Sequence, residues 1–142
     1  MPLYSFSFTV PAGTSKTSPK EVEMKLHEGV VCKIDIHFPK GCHDLVHVTI
    51  WHEGAQIWPN NPDGTIVGDG ETVTWREHYK LIKPALLIAR CWSPSASYDH
   101  EIKIRINILP EWVLLPQLLL GKLLRVMGKL ASVIVGEEME GG

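Results

Sequence analysis

Cysteine is scarce in this chain: Cys32, Cys42 and Cys91 are the only three in 142 residues, an odd number with no Cys-x-x-Cys. That counts against a disulfide framework and suits buried thiols in a reducing compartment. A basic surplus is also missing. With 14 Lys and Arg against 16 Asp and Glu, the net charge is −2. Nothing is left over to displace the counterions of a nucleic acid, so no specific nucleic-acid partner is expected. The start, MPLYSFSFTVPAG, has no basic head and no continuous apolar run, so secretion by a signal peptide is not expected. G-x-S-x-G, a P-loop, G-x-G-x-x-G and H-E-x-x-H are all lacking; these motifs set up a nucleophile, a bound nucleotide or a zinc-bound water. The chain is read as no enzyme, with no catalytic residue and no cofactor.

What is present up to residue 110 is alternation. LYSFSFTV sets Tyr4, Phe6, Phe8 and Val10 against Ser5, Ser7 and Thr9; EVEMKL sets Val22, Met24 and Leu26 against charge. VVCKIDIHF places Val30, Cys32, Ile34, Ile36 and Phe38 together, and LVHVTIW does so with Val46, Val48 and Ile50. ETVTWREH, ALLIARCW and HEIKIRINIL add three more strands, the last with Ile102, Ile104, Ile106 and Ile108 on one face. Period two marks strands with one buried face. The clusters PNNPDG and GDG inside QIWPNNPDGTIVGDGE read as turns of a small hairpin or ordered loop. Strands in this number, divided by regular turns and with no helix before residue 112, predict an all-β antiparallel sandwich or jelly roll over residues 1–110.

CHDLVHVTIWHEG is the one stretch rich in ligand types: Cys42, His43, Asp44, His47, His52 and Glu53. Its spacing argues against a metal. His47 and His52 fall on opposite faces of a strand, and His43 and His47 stand about 13 Å apart in extended chain. NPDGTIVGDGE carries Asp63, Asp69 and Glu71 without the calcium-loop register, so turn chemistry is the better account. Asp44, Asp99 and Glu101 have nothing that brings them together. Trp51, Trp58, Trp75 and Trp92 lie in or beside strands. Buried or interfacial packing is the simpler reading of them. Exposed indoles on a sandwich would instead give a carbohydrate-binding or host-recognition module.

Residues 111–135, EWVLLPQLLLGKLLRVMGKLASVIV, break the pattern. They hold 14 Leu, Ile, Val or Met, three basic residues and, after Glu111, no acid. As a helix, Lys122, Arg125, Lys129 and Ser132 share one side. The apolar arc spans about 200°, against the ~100° of an ordinary surface helix. Leaving half of it wet would forfeit on the order of 10–20 kcal/mol of burial, more than the whole stability of a typical domain. A hydrophobic α-helix at 111–135 is therefore expected to serve oligomerisation or anchoring. The expected contact residues are Leu119, Leu120, Leu123, Leu124, Val126, Met127, Leu130 and Ile134. Its cover would be the sandwich flank, another subunit or a membrane interface. A spanning helix would place three basic residues at mid-bilayer, at roughly 2.5–3.5 kcal/mol each. Residues 136–142, GEEMEGG, read as a flexible acidic tail.

The phrases FTVPAGTSK, IHFPKGCHDLVHVTIWHEGAQIWPNNPDG, GDGETVTW and YDHEIKIRINILP together resemble small β-sandwich virion proteins of tailed bacteriophages, of the decoration (cement) or minor capsid type. The resemblance spans residues 3–110 and leaves out the C-terminal segment. It implies a non-enzymatic structural protein, assembled in the host cytoplasm into a virion. Its partners would be copies of itself and other virion proteins. No functional residue carries across position by position.

Overall fold

The structure, a computed structural model, describes residues 3–110 and 122–128. The chain divides into two compact units, Met1–Leu109 and Pro110–Gly142.

The first unit is all β. Its strands are β1 (Leu3–Val10), β2 (Lys20–Leu26), β3 (Gly29–Phe38), β4 (His47–His52), β5 (Ala55–Trp58), β6 (Glu71–Leu81), β7 (Ala85–Trp92) and β8 (His100–Leu109). They form two four-stranded sheets ordered β1-β8-β3-β6 and β2-β7-β4-β5. Every pairing is antiparallel, and each strand pairs with its mirror in the chain: β1 with β8, β2 with β7, β3 with β6, β4 with β5. The polypeptide is thus one long antiparallel ribbon. It is wrapped so that β8 also meets β3 and β7 also meets β4. This is a jelly roll.

The ribbon is closed at its far end by a two-residue hairpin. His52 pairs with Ala55, and Glu53 and Gly54 between them have φ of 52° and 79°. Two successive positive φ values give the turn whose twist matches the flanking strands.

Wrapping places the apolar face of each strand inside. Ile102, Ile104 and Ile106 are fully buried and Ile108 nearly so. Ile34, Ile36 and Phe38 of β3 join them, with Val48 and Ile50 of β4 and Leu87, Ala89 and Cys91 of β7. Burial pushes the Cys91 thiol up to about 12, which makes it a small core hydrophobe rather than a nucleophile.

Strict alternation fails at one point. The register of β3 against both neighbours slips between Val31 and Lys33. Val31, paired with Tyr79 and Ile108, lies in the core, while Val30, paired with Lys80 and Leu109, is buried on the other face of the sheet, outside that core. Cys32, expected on the inner face with Val30, is displaced to a half-buried site, its Sγ 3.4 Å from the Asn107 carbonyl oxygen. An extra residue in one strand moves every later side chain by one place, and so Ile34, Ile36 and Phe38 still point inward. Strand β6 also outruns ETVTWREH, because Gly29–Val31 at the start of β3 pair with Tyr79–Leu81. QIWPNNPDGTIVGDGE begins inside β5 (Ala55–Trp58) and ends on Glu71, the first residue of β6. The remainder is loop, pinned where Ile66 and Val48 exchange two backbone hydrogen bonds of 2.9 and 3.0 Å.

In the second unit, residues 122–128 are helical. They fall inside the segment expected to be a helix, and its other residues lie outside the described ones. Among the described residues no helix is long and apolar enough to cross a membrane.

Gly29 opens β3 with φ +141°, and a Cβ there would stand 2.7 Å from Ile108 Cγ2 and 2.9 Å from the Leu109 carbonyl oxygen. Backbone strain and overpacking then act together, each costing roughly 1–3 kcal/mol. Gly29→Ala is expected to lower the unfolding free energy by about 2–4 kcal/mol in urea titration. An unchanged midpoint would show that β3 and β8 do not meet this closely.

Candidate functional site

Of the eight apolar residues expected to make contacts, four fall on the described helix. Leu123, Leu124, Val126 and Met127 are 53%, 60%, 53% and 54% exposed. Large apolar side chains left half wet in this way forgo roughly 3–6 kcal/mol between them. Leu119, Leu120, Leu130 and Ile134 lie outside the described residues.

The histidines of CHDLVHVTIWHEG go three separate ways. His43 (φ 49°) and Asp44 (φ 59°) occupy consecutive left-handed positions, a region that non-glycine residues seldom visit. Asp69 holds this loop: its Oδ1 accepts the Gly41 N–H at 2.8 Å, and its Oδ2 lies 3.4 Å from His43 Nδ1. The Gly41 and His43 backbone N–H groups hold the Asp69 carboxyl below its ordinary range, with the His43 imidazole and the Cys42 N–H assisting. Burial raises the neighbouring Cys42 thiol, and the Asp69 and Asp44 charges raise it further. That favours the neutral thiol over the reactive thiolate. His47 faces the other way, its Nδ1 2.9 Å from Thr65 Oγ1. His52 pairs through Nδ1 with the Tyr79 hydroxyl at 2.6 Å. Asp99 accepts the Ala12 N–H at 2.8 Å, a loop contact remote in role from Asp44. Among the described residues no three His, Cys, Asp or Glu side chains converge as metal ligands would.

The outer face of the second sheet carries a trough of about 520 Å³ between the loop at Lys16–Pro19 and the loop at Pro62–Thr65. Its floor follows from strand register. Arg90 lies between Glu21 and Thr49, and its guanidinium covers Trp51 at 4.4 Å from the ring centroid. Arg90 Nε is 3.0 Å from Glu21 Oε1 but too poorly aligned to donate to it, so the contact is one of charge. Trp51 Nε1 donates to Thr49 Oγ1 at 2.9 Å. Trp92 is stacked by the His47 ring at 5.8 Å and approached by Lys16 Nζ at 5.6 Å. Burial, aided by the Lys16 charge, lowers the His47 pKa. Gln56 Nε2 fixes one wall, facing the carbonyls of Pro59, Asn61 and Gly64 at 2.9, 3.2 and 3.2 Å.

A second aromatic group closes the seam where β5, at the edge of one sheet, meets β6, at the edge of the other. Trp58 makes edge-to-face contacts with Trp75 at 6.1 Å and Tyr79 at 5.4 Å. Trp75 Nε1 donates to Glu77 Oε1 at 3.1 Å. None of the four described tryptophans is an exposed platform: Trp58 and Trp92 are buried, Trp51 and Trp75 half-buried. Two features were not singled out in the sequence. Arg90 meets Trp51, and Glu21 meets Arg90, only through register. Glu77 was legible, since Val73-x-Trp75-x-Glu77-x-Tyr79 sets a carboxylate in an otherwise apolar stripe.

No protein-family model matches the chain and no curated protein matches it in sequence. Among solved structures it is similar to the Aeromonas hydrophila protein PliG, a periplasmic inhibitor of g-type lysozyme. That match has 14% identity and a TM-score of 0.43, over 75% of this chain and 86% of that one. A disulfide-linked pilus protein of Bacillus endospore appendages is similar at 9% identity and a TM-score of 0.38, over 78% and 88%. FLHE is similar at 10% identity and a TM-score of 0.35, over 76% and 98%.

His47 and Asp69 set two acid-sensitive windows. Each folded pKa is lowered from its ordinary value, 6.5 for His47 and 3.8 for Asp69. The unfolded chain therefore binds the proton first as pH falls, and the stability that each group contributes above its ordinary pKa is lost on acidification. Melting temperature is expected to fall as pH drops below 6.5 and again below 3.8. His47→Gln should flatten the first step and Asp69→Asn the second in calorimetry across pH. A variant whose profile parallels the parent would remove that residue from the account.

Proposed function

We propose that this chain is a non-enzymatic structural protein of a virus particle. In this reading a jelly-roll body self-associates and docks on neighbouring subunits through its apolar C-terminal segment. The observation that carries the reading is the exposure of Leu123, Leu124, Val126 and Met127, each more than half open to solvent, within a segment of 14 large apolar residues. Water is a costly neighbour for such a surface, and contiguous apolar patches of this kind mark interaction sites. The resemblance of residues 3–110 to phage virion proteins supports the setting. The strand order adds to it, since eight-stranded jelly rolls build viral capsid domains as well as lectins and cupins. Fold alone does not choose among these; the apolar segment supports a component of an assembly. The partners in this reading are copies of the chain and other virion proteins, and assembly takes place in the host cytoplasm.

Carbohydrate or host recognition is the second reading, favoured by the trough floored by Trp51 and Trp92. It ranks lower because Arg90 already covers Trp51, and His47 and Lys16 already face Trp92. Stacking on a sugar needs a bare indole face.

Sedimentation velocity separates these readings from one another and from a membrane-interface role. The full-length chain is expected to sediment as an oligomer whose melting temperature rises with concentration. The double variant Leu123→Lys/Leu124→Lys is expected to sediment as a monomer that keeps its β circular dichroism. A monomeric full-length chain that floats with liposomes would favour the membrane interface. A monomeric chain that neither floats nor changes its melting on truncation after residue 110 would end the assembly reading.

A further inference from the structure

The two sheets leave four edges, β1 and β6 on the first, β2 and β5 on the second. An edge strand carries a row of backbone N–H and C=O groups that its one neighbour does not use, and proteins block such rows with charge, shortness or distortion. Three of the four are blocked here. β5 is four residues long. β2, KEVEMKL, is charged at Lys20, Glu21, Glu23 and Lys25, and β6 at Glu71, Arg76, Glu77 and Lys80. β1, LYSFSFTV, has eight residues and no charge, and its register against β8 runs without a bulge. The apolar row of β1 is also incompletely covered. Phe8 and Val10 are buried, whereas Tyr4 and Phe6, stacked at 6.5 Å, are half-buried.

A strand added to this edge must match it row for row. β2 or β6 of another copy would lay charges against uncharged rows, and β2 on itself about its centre would set Glu23 against Glu23. β1 on itself has no such conflict. A two-fold axis through Phe6 sets Tyr4 opposite Phe8 and Ser5 opposite Ser7 of the second copy. An axis through Ser7 sets Phe6 opposite Phe8 and Ser5 opposite Thr9. Aromatic then meets aromatic and hydroxyl meets hydroxyl, which are the favourable cross-strand pairs. We propose that β1 pairs antiparallel with β1 of a second copy, joining two four-stranded sheets into one. A ladder of eight residues falls well short of the roughly 20–30 residues a side of a standard interface. It holds only where another contact keeps two copies close and makes the pairing effectively intramolecular. The inference therefore rests on assembly through the C-terminal segment and adds the surface by which the jelly-roll bodies meet.

The test is hydrogen exchange of the full-length chain, resolved to single amides by fragmentation mass spectrometry, beside the monomeric Leu123→Lys/Leu124→Lys variant. The β1 amides that point away from β8 are expected to exchange at least about tenfold more slowly in the assembled chain than in that variant. The amides bonded to β8 serve as internal reference. Ser5→Lys/Ser7→Lys sets like charges opposite one another in either register, on side chains that are exposed. It is expected to restore fast exchange along β1 while the chain stays associated through its C-terminal segment. Equal exchange in an oligomeric chain and in the monomeric variant overturns the β1 contact and leaves the assembly reading standing. A monomeric full-length chain ends both. Slow exchange in the monomeric variant as well, or protection that survives Ser5→Lys/Ser7→Lys, overturns the contact by showing that something other than a second β1 covers this edge. Should the serine variant fail to fold, the comparison of assembled and monomeric chains decides alone.

Discussion

Both sheets hang on the isoleucines of β8. Ile102, Ile104, Ile106 and Ile108 run down the middle of the first sheet, between β1 and β3, and they are the side chains against which the second sheet closes. A shift of one residue would turn all of them outward and bring in Lys103, Arg105 and Asn107, at a cost that no surface contact could offset. The register of β8 against β1 and β3 is thereby fixed. Through β3 it also fixes β6, the strand that carries Trp75, Glu77 and Tyr79.

The same constraint explains where the chemistry collects. A rolled ribbon leaves edge strands only where its ends and its wrapped flanks meet, and exposed edges invite wrong pairing. At the β5–β6 flank the chain fills the gap with interlocked aromatic rings and one carboxylate. On the outer face of the second sheet it covers its indoles with Arg90 and Lys16. Cation and ring shield one another there, which lets large aromatics sit near the surface without forming a sticky patch. Leu123, Leu124, Val126 and Met127, by contrast, are exposed, and on that contrast the assembly reading rests.

Much of the fold was legible from residue order. Alternation in LYSFSFTV, EVEMKL, LVHVTIW and HEIKIRINIL marks strands and the faces they bury, and the ligand-type side chains around His43, His47 and His52 separate as their spacing requires. Val30 and Cys32 were misplaced because a bulge leaves no mark in the apolar pattern: VVC reads as well with Val30 and Cys32 inward as with Val31 inward. The seam and the trough were only half legible. Trp58 and Trp75 stand in different strands of different sheets, and Arg90 reaches Trp51 through a lateral pairing that no local pattern encodes.

By itself, then, the order of residues determined which segments extend, which face of each is apolar, where the turns fall, and that large apolar residues crowd 111–135. These are local properties, set by side-chain period and transfer free energy. Tertiary structure alone decided the partner of each strand, the slip at Val31, and the meeting of Trp58 with Trp75 and Glu77. Those depend on long-range register, and register is settled by how opposite faces fill one shared core.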